Sequence, residues 1–166
     1  MNYTQIRSMD ISNGEGIGCA LFVSGCSIHC KGCFNSEAWD FNSGKPFTEE
    51  VESKFINLCK KSYIHRISIL GGEPFASGNV MSVSALVEHL RTLFPDKIIW
   101  MYSGYTWENL IQRDVYKKIL FNINVLVDGP FIEDQKDLSL SFRGSKNQRI
   151  IDVQQSLYNN NVILFK

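Results

Sequence analysis

The sequence predicts an α/β fold, a partial and open (β/α) barrel of mostly parallel strands with helices outside. Three observations predict it. Short apolar runs suited to buried strands alternate with stretches whose apolar residues recur at helical spacing. The strand runs end in loops bearing glycine, cysteine or proline, which break regular structure. At 166 residues the chain can bury one core, yet it is short of the about 250 residues typical of a closed eight-fold barrel. One domain over residues 1–166 is expected.

Residues 1–16 end in Asn13-Gly14-Glu15-Gly16, a turn lacking the spacing and the strand–helix setting of a phosphate-binding glycine loop. Ile17–Val23 contains the continuous run Ala20, Leu21, Phe22 and Val23 and reads as a buried strand. A polar connector follows Asn35. Thr48 suits an N-cap, Glu49 and Glu50 suit the positive end of a helix dipole, and Val51, Phe55 and Leu58 share a face, so a helix runs to Lys61. Arg66–Leu70 is the next strand and feeds Gly71-Gly72-Glu73-Pro74. Val83, Leu86, Val87, Leu90 and Leu93 mark a second helix stopped by Pro95, and Lys97–Tyr102 is the third strand. Thr106 starts a helix expected to pass Leu110 and continue to Leu120. Ile123–Val127 is a fourth strand, ending at Asp128-Gly129-Pro130. Residues 142–149 read as a loop, Ile150–Val153 as a strand and Val162–Phe165 as a further edge strand; the tail 150–166 carries no assigned role.

Repeated strand–loop–helix units with right-handed crossovers bring the strand ends to one rim, the edge where such sheets bind ligands. The first strand delivers Cys26, Cys30 and Cys33 there, at C-x3-C-x2-C spacing. Thiolates at such spacing are iron–sulfur ligands, and three of them on a cube of four irons leave one iron open to a substrate or cofactor. A structural zinc would need a fourth ligand such as His29, Cys19 or Cys59. A plain electron carrier would use four cysteines. Disulfides fit poorly with an odd count of five. Cys19 and Cys59 read as buried thiols, His29 as a residue beside the ligands, and His65 and His89 as solvated.

Seventeen basic and seventeen acidic side chains leave no net charge and no basic stripe, so nucleic acid is not an expected partner. No apolar run approaches the about 20 residues of a membrane span, and the N-terminus has no signal-peptide pattern. A soluble, cytoplasmic protein is expected.

Cys26, Cys30 and Cys33 with Gly71-Gly72-Glu73-Pro74 resemble the two signatures of the radical S-adenosylmethionine superfamily. Within it, Asp10-Ile11-x-Asn13-Gly14, Leu21–Cys26, Asn42-Ser43-Gly44-x-Pro46-Phe47-Thr48, Ser103-Gly104-Tyr105, Asn124–Gly129 and Arg143-Gly144-Ser145-x-Asn147-Gln148 resemble the activating proteins of anaerobic (class III) ribonucleoside-triphosphate reductases. The resemblance implies a radical S-adenosylmethionine barrel in which the three cysteines hold a [4Fe-4S] cluster. It implies that the amino and carboxylate groups of S-adenosylmethionine bind the fourth iron, with Gly32, Cys33, Phe34, Gly71, Gly72, Glu73 and Pro74 as cofactor contacts and no further catalytic side chain. Gly71 and Gly72 are expected to let backbone approach the methionine moiety. The resemblance further implies that a flavodoxin-type donor supplies the electron and that the 5'-deoxyadenosyl radical takes a hydrogen atom from a glycine Cα of the partner reductase. Gly32 stands where many superfamily members carry an aromatic residue, and Glu73 where relatives often carry aspartate. For Phe34 an adenosyl contact and core packing both stand open; for Asp128, a hydrogen bond to cofactor or partner and a simple Asp-Gly turn; for Arg143, Ser145 and Asn147, partner docking or ordering of the rim and a plain surface loop. The alternatives are an activase of a different glycyl radical enzyme and a non-catalytic zinc-binding interaction domain.

Overall fold

A computed structural model describes residues 1–166, and in it the apolar runs lie side by side as one open sheet. Its strands are β1 (Asn2–Asp10), β2 (Gly18–Val23), β3 (Lys45–Pro46), β4 (Arg66–Gly71), β5 (Ile98–Tyr102), β6 (Val125–Asp128) and β7 (Arg149–Asp152). The helices are α1 (Glu49–Cys59), α2 (Val80–Leu93), α3 (Trp107–Leu110), α4 (Asp114–Leu120) and α5 (Val153–Asn159). The strand order is β3-β1-β2-β4-β5-β6-β7. The four central strands β2, β4, β5 and β6 are parallel, as expected, whereas β1 and β3 at one edge and β7 at the other run antiparallel to their neighbours. The sheet does not close.

β2 and β6 are buried along their full length and β4 along all but its last residue, the pattern of parallel strands covered on both faces. Side chains alternate between those faces. Leu21, Val23, Ile67, Ile69, Met101 and Leu126 point to the helices and join a core cluster of 27 buried residues with α1, α2 and α4. Their neighbours point the other way: Ala20, Phe22 and Leu70 pack with Tyr102, and Trp100, Val125 and Val127 pack with Phe142, Ile150 and Phe165. That second face is closed at its lower end by residues 10–16. Arg66, wholly buried, donates to the carbonyls of Asp10 at 2.7 Å, Asn13 at 2.6 Å and Glu15 at 3.1 Å, and pairs with the Asp10 carboxylate at 3.0 Å.

Three elements depart from the sequence expectation. Asn2–Asp10 is a strand where only a turn was expected at its end. Its register against β2 shifts twice, and such irregularity spoils the two-residue alternation that marks a strand. The helix expected over 107–120 breaks into α3 and α4, with Arg113 extended. Leu110 and Tyr116 are both buried; an unbroken helix would set them about 120° apart, and the break lets both face one core. In the tail, Asp152 caps the unforeseen α5 by accepting from Gln155 N at 3.0 Å. The expected edge strand is reduced to one bridge, Ile151 with Leu164.

Candidate metal centre

Each parallel strand leaves the sheet at the same edge, and the four exits form the site. From β2 the chain enters the cysteine loop, whose backbone leans on the following segment: Gly25 N donates to Ala38 O at 2.7 Å and Cys26 N to Trp39 O at 3.0 Å. His29, with φ of +51°, stacks on Trp39 at 4.5 Å. The three thiols are free and half-buried. The Asn35 backbone amide donates to Cys33 Sγ at 3.4 Å, and the Phe131 amide of the β6 exit lies against Cys30.

From β4 the chain enters Gly71-Gly72-Glu73-Pro74, which continues the pairing with β2: Gly72 N donates to Val23 O at 2.7 Å and Glu73 N to Gly25 O at 2.8 Å. A Cβ on Gly71, at φ +114°, would lie 2.6 Å from Val23 O, and one on Gly72 would lie 2.4 Å from Gly25 O. The glycines are thus required where the chain passes Val23 and Gly25, whatever else approaches them. The Glu73 carboxylate is 1% exposed. It accepts from Phe75 N at 2.9 Å, Ser103 Oγ at 2.9 Å and Gly104 N at 2.7 Å, tying the β4 exit to the β5 exit. Burial pushes its pKa up to about 7 against these three donors, which favour the charged form. Pro74 is buried beside it.

From β6 the chain makes the rim segment 128–148. Asp128, 1% exposed, accepts from Trp107 N at 2.7 Å and from Arg149 Nε at 3.0 Å and Nη2 at 2.5 Å. Arg149 also grips Glu108, whose pKa that guanidinium holds down to about 2. Ser145 Oγ accepts from Ile132 N at 3.2 Å and donates to Asn147 at 2.7 Å, while Asn147 Nδ2 donates to Pro130 O at 2.8 Å and Arg143 to Gln148 O at 2.7 Å. Asp128, Arg143, Ser145 and Asn147 order the rim. Gly32 meets this segment through the Glu133 carboxylate, which pairs with Lys31 at 3.1 Å. Phe34 is 99% exposed, so core packing is not its role. Cys19 and Cys59 are fully buried away from the loop's thiols, in the helix-side core. His89 is not simply solvated: its Nδ1 sits 2.8 Å from Glu52.

The donor set fits an iron–sulfur cube. Burial pushes the Cys26 and Cys30 thiols up, and the charge of Cys33 adds to it; a bound cationic centre reverses that cost. A cube would take the three thiolates on different irons. Four buried side-chain polar atoms have no hydrogen-bond partner: Asn35 Nδ2, Trp39 Nε1, Asn79 Oδ1 and Tyr102 Oη. Asn35 and Trp39 follow the cysteine loop, Asn79 ends the glycine segment and Tyr102 ends β5. The two unpartnered groups that follow the cysteine loop fit a site that receives a polar ligand. Asn79 and Tyr102 escape sequence reasoning because one looks like a helix cap and the other like an ordinary strand aromatic.

A family model described as a 4Fe-4S single cluster domain matches residues 12–151. The anaerobic ribonucleoside-triphosphate reductase-activating protein of Vibrio cholerae is 45% identical over 152 residues, covering 90% of this chain and 97% of that protein. Its Escherichia coli namesake is 45% identical over 150 residues, covering 89% and 96%. That of Enterobacteria phage T4 is 35% identical over 150 residues, covering 90% and 93%.

Proposed function

The chain belongs to the family of anaerobic ribonucleoside-triphosphate reductase-activating proteins, and we propose that it activates such a reductase by installing a glycyl radical on it. One observation carries this reading: the cysteine loop and the glycine loop leave neighbouring parallel strands and are bonded to each other through Val23 O and Gly25 O. When bound, a [4Fe-4S] cluster and S-adenosylmethionine supply a low-potential electron and, by reductive cleavage, the 5'-deoxyadenosyl radical that takes a hydrogen atom from a glycine Cα of the reductase.

Cys26, Cys30 and Cys33 hold the cluster, and the Asn35 amide on Cys33 Sγ withdraws charge from that sulfur and so tunes the potential. Backbone at Gly71, Gly72, Glu73 and Pro74 receives the polar methionine end of the cofactor; the Glu73 side chain, already saturated, holds that backbone in place. Gly32 and Cys33 line the cluster side, and Phe34 offers its exposed ring to the adenosyl part. The fold is a partial, open barrel of the radical S-adenosylmethionine type and residues 1–166 are one such domain, a reading supported by four parallel strands, helices on one face and ligand-bearing exits at one edge. The electron comes from a flavodoxin-type donor. A cytoplasmic location agrees with the chemistry, and no helix is long and apolar enough to cross a membrane.

The test is to reconstitute the protein with iron and sulfide without oxygen and record the electron paramagnetic resonance of the reduced cluster with and without S-adenosylmethionine and reductase. The expected outcome is a cluster signal that changes with the cofactor, 5'-deoxyadenosine, and a glycyl radical on the reductase, all lost in Cys30→Ala. One tightly held zinc and no cluster would overturn the proposal.

A further inference from the structure

We propose that Asn79 is a positioning residue of the activation reaction, fastening the backbone that carries the cysteines to the backbone of the glycine loop; the inference rests on the function proposed above. Asn79 stands at the N-cap of α2, where an asparagine side chain ordinarily accepts a hydrogen bond from the first helical turn. Here it makes no such bond. The side chain turns inward, 1% exposed, and its Nδ2 donates to Ser24 O at 2.8 Å, Gly25 O at 3.3 Å and Glu73 O at 3.0 Å. Three carbonyl oxygens around one atom can be met only by a donor, which fixes the amide orientation and leaves Oδ1 on the far side, buried and without a partner.

The choice of carbonyls gives the function. Ser24 and Gly25 immediately precede Cys26, and Glu73 immediately follows Gly72. A single amide therefore spans two loops about 50 residues apart in sequence and sets the cluster ligands against the segment that receives the cofactor. Glu73 extends the same fastening to Ser103 and Gly104. An asparagine kept only to start α2 would cap the helix; this one forgoes the cap and leaves its own oxygen unpaired to hold the two loops in register. Ligands of a metal centre depend on such outer contacts for their aim.

Asn79→Ser separates the two roles, because serine is a good helix cap and its short side chain cannot reach three carbonyls. Wild type, Asn79→Ser and Asn79→Ala are reconstituted anaerobically, and each is measured for iron per chain, melting temperature and the spectral change of the reduced cluster across an S-adenosylmethionine titration. Asn79→Ser is expected to bind iron and melt like wild type, yet to need about ten- to a hundredfold more S-adenosylmethionine for the half-maximal spectral change, with Asn79→Ala shifted at least as far. A titration unchanged from wild type overturns the proposal. So does failure of both variants to fold or hold iron, which would make Asn79 a folding residue. A wild-type cluster blind to S-adenosylmethionine would instead bring down the functional reading itself, a distinct result.

Discussion

Within the site the Glu73 carboxyl rises from the ordinary 4.5 to about 7 because it is buried. A carboxyl raised on folding stabilises the folded state fully below pH 4.5, and that contribution is lost as the pH rises through about 7. In Glu73→Gln the dependence should vanish. Chemical denaturation from pH 4.5 to 8 is expected to show the wild type losing about 3 kcal/mol relative to the variant, flat above pH 8; parallel curves would refute the assignment. The Tyr102 hydroxyl presents the opposite case. It is buried and unpartnered, so Tyr102→Phe should leave cluster-free stability within about 1 kcal/mol of wild type or improve it. Glu73 is conspicuous in the sequence as part of the glycine loop and Tyr102 is not, but in each what matters is the presence or lack of partners brought from another strand, which the sequence does not display. The three cysteines are conspicuous, because their spacing alone places them on one short loop.

Among the elements, the strands and helices whose apolar residues kept a regular period were legible: β2, β4, β5, β6, α1 and α2 fall close to their expected places. β1, with its shifted register, and the broken pair α3 and α4 were not, because in both the period is interrupted to suit a neighbour. The loop between β4 and α2 was legible as a glycine turn, and the structure adds a local reason for it: the glycines clear the backbone of Val23 and Gly25. Gly71→Ala should therefore cost at least about 2 kcal/mol from the positive φ alone, and it should reduce iron retention even though no ligand is touched. Iron analysis after gel filtration, paired with thermal melting, checks both. Where β6, β7 and α3 meet, Arg149 is the sole cation on Asp128, so Arg149→Ala leaves a buried carboxylate unpaired. A loss of about 3 kcal/mol is expected, and a melting temperature equal to wild type would contradict it.

Over the whole molecule, helices cover one face of an open sheet and four strand exits gather at one edge. On the function proposed above, the reductase glycine is expected to reach that edge from the side the helices leave free. Photo-cross-linkers placed at exposed positions on the 129–148 segment are expected to capture the reductase, and the same probes on the outer surface of α1 are not; the reverse pattern would relocate the docking surface. The amino-acid sequence by itself determined the alternating α/β character, the cysteine triplet and the family, because apolar period and cysteine spacing are local properties. Only the tertiary structure decided the antiparallel edges, the local reason for the two glycines, the rim built on Asp128 and Arg149, and the inward turn of Asn79. Each of these depends on groups distant in sequence that meet only when the strands pair, and the strength of a buried hydrogen bond or charge is set by the neighbours that folding supplies.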